Sequence, residues 1–343
     1  MTSLTSLTSL SPPRALAATA AVVAIALPLA GLTASLADAA TAPTSARAAQ
    51  QVRVTPTAFD RGRDADVPLV LDGKVVDGDT TVPVPGNATE LVAHDADGYV
   101  VLTIIDDRDH LVRVADGQDP VDLRTLPYPA EVAVASDGST VFTSVYRTGT
   151  KRSTIAAFDA GTGDVVARRT FDRYAYALDG NPDLVLVSAS KDTRTLEWSF
   201  EGNAVRTISS DQGYYADLAT NTLAAFTGDP YDGGCTRVSA VDRPGSTLWR
   251  DCDAAVISSA PGGRTVTVFI LSDGPGPSEV TVRTPDGRPV TTYTNPRGTV
   301  GVAGWEPGGS VLLGVHGPKR GAIVRCDDAD CERASAHLAG TDW

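Results

Sequence analysis

Residues 130–168, AEVAVASDGSTVFTSVYRTGTKRSTIAAFDAGTGDVVAR, decide the fold of this chain. Short apolar runs follow one another in this stretch, and turn residues such as Ser136-Asp137-Gly138 separate them. Between 140 and 146, the side chains alternate with the two-residue period of a β-strand. Alternation of this kind, with Gly, Asp and Ser between the runs, predicts four short antiparallel strands that each pair with the next.

Weaker copies of this unit start near residues 90, 176, 214, 255 and 301, so the repeats are spaced by 38 to 46 residues. This spacing is the length of one blade in a β-propeller. One four-stranded unit cannot bury both faces of its sheet, whereas units packed around a ring can. We therefore predict an all-β protein, a β-propeller at 67–343 with six four-stranded blades.

The stretch 67–86, VPLVLDGKVVDGDTTVPVPG, reads as a hairpin without the inner strands that begin the other repeats. It either pairs with the last blade and closes a six-bladed ring or forms half of a seventh blade. Six is the simpler number, and seven stays open. A β-sandwich with as many strands is disfavoured, because sandwiches do not repeat at regular intervals.

Two segments, AVASDGSTVFTS at 133–144 and AFDAGTG at 157–163, carry a family resemblance. They resemble the repeats of bacterial secreted propellers of the YVTN, TolB and quinoprotein-repeat type, which are similar to WD40 propellers. Ala167 stands where quinoprotein repeats have Trp, and the chain has no Trp-Asp dipeptide. The resemblance implies the propeller architecture and no particular cofactor or substrate.

The first 39 residues are predicted to be a signal peptide. Arg14 precedes an apolar run at 15–31, and Ala37-Asp38-Ala39 matches the small-x-small pattern of a signal-peptidase site. A retained membrane anchor is the alternative, because the run approaches the length of a spanning helix. We expect cleavage, a secreted protein without stable membrane insertion, and a flexible linker at 40–66.

The four cysteines are predicted to form disulfides, as is usual in exported proteins. Four cysteines allow three pairings, and the predicted hairpins favour one of them. Folding residues 235–252 about their middle brings Cys235 opposite Cys252, with a longer turn or a bulge to accommodate Pro244. Cys326 and Cys331 flank a four-residue loop. A cysteine metal site is disfavoured, because the C-x2-C spacing and a nearby His are absent.

No catalytic motif stands out. The four His residues have no metal-ligand spacing, and neither a nucleophile elbow nor a phosphate loop is present. Acidic clusters at 95–97, 106–109 and 327–330 could bind Ca²⁺, but none has the spacing of a calcium loop, and Asp is common in β-turns anyway. We expect no cofactor and no catalytic residue.

The charge distribution points to a ligand. With 29 Lys and Arg against 42 Asp and Glu, the formal net charge is −13, which argues against a nucleic-acid partner. Yet basic residues collect in the loops between second and third strands, and Tyr128, Tyr174 and Tyr231 lie in or near neighbouring connections. The candidate ligand-binding residues are Arg147, Lys151, Arg152, Lys191, Arg194, Tyr231, Lys319 and Arg320.

These loops predict a non-catalytic, monomeric binding module. Its partner would be a protein, a peptide or, above all, an anionic glycan or polymer of the cell envelope, which a basic rim would attract. Exposed loops are often basic without any ligand, so this remains a hypothesis. The alternative is an exported propeller hydrolase or lyase with a metal at the mouth of the channel.

Overall fold

Short apolar strands separated by Gly, Asp and Asn turns form seven sheets in the computed structural model, which describes residues 49–190, 193–272 and 276–340. The first strand, β1 (Gln50–Arg53), belongs to the sixth sheet. Blade 1 contains β2 (Leu69–Leu71), β3 (Lys74–Asp77) and β4 (Thr80–Pro83). Blade 2 contains β5 (Asn87–Asp95), β6 (Gly98–Ile105), β7 (Arg108–Val114) and β8 (Val121–Thr125). Blade 3 contains β9 (Glu131–Val134), β10 (Thr140–Arg147), β11 (Arg152–Asp159) and β12 (Val165–Phe171).

The remaining four blades follow in chain order. Blade 4 contains β13 (Ala175–Gly180), β14 (Leu184–Ala189), β15 (Arg194–Ser199) and β16 (Ala204–Ser209). Blade 5 contains β17 (Gln212–Asp217), β18 (Thr222–Phe226), β19 (Thr236–Ala240) and β20 (Arg243–Asp251). Blade 6 contains β21 (Ala254–Ser259), β22 (Thr265–Phe269), β23 (Glu279–Arg283) and β24 (Pro289–Thr294). Blade 7 contains β25 (Thr299–Trp305), β26 (Val311–His316), β27 (Arg320–Asp327), β28 (Asp330–Arg333) and β29 (Leu338–Ala339). Two 3₁₀ turns cover Glu201–Asn203 and Pro230–Asp232.

Seven hydrophobic clusters join these sheets into a ring. One cluster lies between each pair of consecutive blades, from blades 1 and 2 through blades 6 and 7, and the seventh lies between blades 7 and 1. The second strands are buried on both faces, as residues 140–144 of β10 show. The predicted all-β propeller fold is therefore confirmed.

The number of blades is seven, so the simpler expectation of six was wrong and the alternative that we left open is correct. The hairpin predicted at 67–86 forms a blade of its own, β2-β3-β4, and shares no hydrogen-bonded sheet with the last blade. The path of the chain shows which positions of blade 1 these three strands occupy. Because β4 leads into β5, the innermost strand of blade 2, the three strands occupy the second, third and fourth positions, and the innermost position of blade 1 holds no strand among the described residues.

The N-terminal segment differs from the flexible linker predicted at 40–66. From residue 49 onwards the structure describes it, and β1 pairs in parallel with β24, with Gln50 opposite Thr291. Val54 is fully buried in the cluster between blades 6 and 7. Residues 40–48, like the predicted signal peptide at 1–39, lie outside the described residues. No helix in the described ranges is long and apolar enough to cross a membrane.

A buried ion pair attaches the end of this segment to blade 7. The guanidinium of Arg325 donates to both carboxylate oxygens of Glu306, at 2.7 and 2.6 Å, and also to the backbone oxygen of Asp64 at 2.6 Å. The backbone nitrogen of Asp66 donates to Glu306 at 2.9 Å. The chain is thus held against blade 7 immediately before it forms blade 1.

Both predicted disulfides are present. Cys235 bonds to Cys252 at the ends of the outer hairpin of blade 5, and Cys326 bonds to Cys331 across directly paired positions of β27 and β28. The β19–β20 hairpin contains two register shifts, and Pro244 lies within β20. The bulge that we expected near Pro244 is therefore confirmed.

Candidate binding face

The loops between second and third strands and the connections between blades lie at one end of the ring, which we call the loop face. Arg147 and Arg152 are cross-strand partners at the ends of β10 and β11 on this face, and Lys151 between them adopts a positive φ of 53°. Arg194 begins β15, and Tyr231 lies in the 3₁₀ turn before β19. Lys319 and Arg320 lie at the start of β27. Lys191 lies outside the described residues.

The ring separates these candidates into two groups. Arg147, Lys151, Arg152, Arg194 and Tyr231 belong to the consecutive blades 3, 4 and 5. The pair in blade 7 is two blades away from blade 5 in one direction and three blades away from blade 3 in the other. The first group therefore lies on three adjacent blades, whereas Lys319 and Arg320 lie on a separate blade.

Tyrosines lie between the basic residues of the first group. The rings of Tyr146 and Tyr174 meet edge to face with their centroids 5.2 Å apart, and the rings of Tyr174 and Tyr176 are 5.7 Å apart. Tyr146 and Tyr174 line a depression of ≈ 210 Å³, and Tyr176 with Phe226 lines a second one of ≈ 400 Å³. Because Tyr174 and Tyr176 are in contact, the two depressions are neighbours, and we call them together the tyrosine groove.

The acidic groups of the tyrosine groove are bound to groups of the protein. Glu131 accepts a hydrogen bond from the hydroxyl of Tyr174, and burial together with this carboxylate raises the pKa of that phenol. Asp172 pairs with Arg152 at 2.7 Å, and Asp211 pairs with Arg237 at 2.6 Å. The side chain of Asp229 caps the 3₁₀ turn by accepting from a backbone N–H.

Three cations beside the tyrosine groove, unlike these acidic groups, are exposed and are not engaged in ion pairs with other described residues. Among the ion pairs that the described residues form, none involves Arg147, Lys151 or Arg194, and all three residues are exposed. Tyr128 and Tyr231 present large exposed rings nearby, at 68% and 67% of their free surface. The arrangement leaves positive charge and flat aromatic surface available to an anion in solution.

Sequence reasoning identified the loops but missed part of the groove. Tyr146 is the next-to-last residue of β10, and Phe226 is the last residue of β18. Tyr176 follows Tyr174 by two residues. Side chains two apart in a strand share a face. That period could have linked Tyr176 to Tyr174, but contact across blades could not be read from the sequence.

The acidic clusters that could have bound Ca²⁺ are turns in the structure. Asp95 accepts from the backbone nitrogen of Asp97 and from Arg113, which is the local bonding expected of Asp in a turn. Within residues 49–190, 193–272 and 276–340, no group of three or more His, Cys, Asp or Glu side chains could hold a metal ion.

No protein-family model and no curated protein sequence matches the chain. Several solved structures match the chain. The chain is similar to the β-propeller domain of the Trilobed protease from Pyrococcus furiosus, with 11% identity, a TM-score of 0.50, and coverage of 81% of this chain and 98% of that one. It is also similar to oligogalacturonate lyase in complex with manganese, with 13% identity, a TM-score of 0.51, and coverage of 71% and 80%. A chain of the Mitotic Checkpoint Complex matches with 11% identity, a TM-score of 0.50, and coverage of 84% and 86%. At these identities the likeness shows the β-propeller fold alone.

Proposed function

We propose that the protein is an exported, non-catalytic binding module that holds an acidic glycan in the tyrosine groove over blades 3 to 5. The observation that carries this proposal is the combination of the tyrosine groove with three exposed cations, Arg147, Lys151 and Arg194, that form no ion pair with another described residue. A glycan offers carboxylates to the cations and apolar C–H faces to the rings. Tyr gives such contact area at a low cost in conformational entropy.

Export is supported by the two disulfides, because disulfides persist in oxidising compartments. It agrees with the signal peptide predicted at 1–39. An acidic oligosaccharide is also a ligand class compatible with the fold, since oligogalacturonate lyase is named for one. No observation on the described residues favours the hydrolase or lyase alternative.

Polygalacturonate tests the proposal, with neutral dextran as the comparison polymer, by isothermal titration at low and at physiological salt. The wild type should bind polygalacturonate, and salt should weaken the binding. The triple variant Arg147→Ala, Lys151→Ala, Arg194→Ala should bind about tenfold more weakly, because each exposed ion pair contributes about 0.5 kcal/mol.

The matched control is Lys319→Ala with Arg320→Ala, which removes loop-face charge from blade 7 and should leave the affinity nearly unchanged. Absence of polygalacturonate binding by the wild type at low salt would refute the proposal. Equal losses in the triple variant and the control would show that overall charge, and not the tyrosine groove, governs binding.

A further inference from the structure

No strand among the described residues occupies the innermost position of blade 1, so β2 presents a strand edge to the channel. In the described part of the chain, β2 pairs with β3 alone, so its other edge faces the axis of the ring. In the other six blades an innermost strand covers the equivalent edge. An uncovered edge offers backbone donors and acceptors to an incoming extended chain.

The register of the β2–β3 hairpin shows which backbone N–H and C=O groups of β2 are not bonded to β3. Leu71 pairs with Lys74 around the two-residue turn Asp72-Gly73, in which both residues have positive φ, 46° and 71°. In such a hairpin the residues flanking the turn exchange both hydrogen bonds, and the next pair exchanges none. Val70 is opposite Val75 in that next pair, so the N–H and C=O of Val70 point away from β3 and towards the channel.

A cavity of ≈ 690 Å³ lies against this edge. Residues 68–72 form one wall, β5 contributes 89–91, and β25 contributes 299–303. Residues 68–72, which are β2 with one residue on either side, line the cavity over about 16 Å at 3.3 Å per residue. The volume is that of a ligand pocket. At Gly301 the wall has no side chain, and a Cβ added there would meet no atom within 4 Å.

The walls are largely aliphatic, but they also carry two acids, Glu90 and Asp72, and one histidine, His316. Leu69, Leu91 and Val302 are among the lining residues, as is Glu90. Among the described residues Glu90 has no ion-pair partner; the residue is exposed overall, but the walls around its carboxyl group raise the pKa of that group. A cation placed beside Glu90 would compensate this cost.

We propose that the cavity binds an extended segment of about five residues from a partner protein, which pairs with β2 as the missing innermost strand of blade 1 and places a Lys or Arg side chain beside Glu90. Backbone hydrogen bonds to Val70 give such a complex affinity, and the side-chain positions of the segment give it specificity. The aliphatic walls select small apolar side chains at the other positions.

The chain's own described ends do not fill this place. The N-terminal segment is paired at the outer edge of blade 6 through β1, and the C-terminal segment pairs with β27 through β29. The acids of the cavity and the extended shape of the edge fit a basic, extended segment of a partner.

The probe is a blocked pentapeptide, acetyl-Thr-Val-Lys-Val-Thr-amide, compared with the same peptide carrying Glu in place of Lys. The full protein should bind the Lys peptide about tenfold more tightly than the Glu peptide in isothermal titration. Gly301→Leu fills the cavity and should abolish binding. Gly304→Leu is the matched control, since its Cβ also meets open space but lies outside the cavity, and it should bind normally.

Glu90→Gln provides a second test that does not depend on filling the cavity. It should remove the preference for Lys over Glu while the protein keeps its melting temperature. Equal affinity for both peptides, no binding of either, or binding that survives Gly301→Leu would overturn the proposal. So would a dimer in solution that Gly301→Leu converts to a monomer, because the occupant would then be a second copy of the chain. None of these outcomes affects polygalacturonate binding at the tyrosine groove.

Discussion

At the scale of single residues, the Glu306–Arg325 pair should contribute strongly to stability. Only 2% and 7% of these side chains are exposed, and Glu306 also holds the backbone of Asp66. Burial raises the pKa of Glu306, but the bonds from Arg325 outweigh it, and the net pKa is lowered. Replacing one partner leaves the other charged and buried, so Glu306→Gln should reduce the free energy of unfolding by about 3 kcal/mol at pH 7.

The pH dependence of this loss has a defined sign. A carboxyl group whose pKa is lower in the folded state stabilises the fold above its unfolded pKa, near 4.5, and loses that effect as the pH falls through the folded value. The difference between wild type and Glu306→Gln in urea unfolding should therefore shrink below pH 4.5. Asp286→Asn, which breaks an exposed pair with Arg288, is the control and should change little. A pH-independent difference would contradict this account.

At the scale of elements, the two disulfides should differ in their effect. Cys235 and Cys252 are 17 residues apart and Cys326 and Cys331 are 5 apart, so the first bond restricts the unfolded chain more. Replacing both cysteines by Ala should cost about 3 kcal/mol for the first pair and about 2 kcal/mol for the second. Urea unfolding of the two double variants measures the difference, and the reverse order would contradict the loop-closure argument.

Elements could be predicted from the sequence wherever their partners are close along the chain. The hairpin that brings Cys326 opposite Cys331 involves six consecutive residues, so it could be predicted, as could the repeated four-stranded unit. Strand β1 could not be predicted, because Gln50 pairs with the distant Thr291 and nothing in the polar sequence of β1 indicates that partner. The tyrosine groove shows the same limit: its loops were predictable, but contacts such as Tyr146 with Tyr174 join different blades.

At the scale of the whole molecule, the ring closes without a sheet shared by its two ends. Blade 1 consists only of N-terminal strands and blade 7 only of described C-terminal strands. The cluster that includes Leu69, Leu312 and Ile323, together with the Glu306–Arg325 pair, holds the seam between them. Blade 1 has only three short strands among the described residues, fewer than any other blade. This seam should therefore be the weakest contact in the ring.

Hydrogen exchange in the native state tests this expectation with two equivalent substitutions. Leu312 and Leu186 are both fully buried, and each follows a register shift at the same place in the inner hairpin of its blade. Leu312→Ala and Leu186→Ala should each reduce global stability by about 3 kcal/mol. Leu312→Ala should also make the amides of β2, β3 and β4 exchange before those of other blades, because local opening begins where packing is weakest. Leu186→Ala should leave blade 1 the same relative protection as in the wild type, and uniform acceleration by Leu312→Ala would show that the seam opens only with the whole ring.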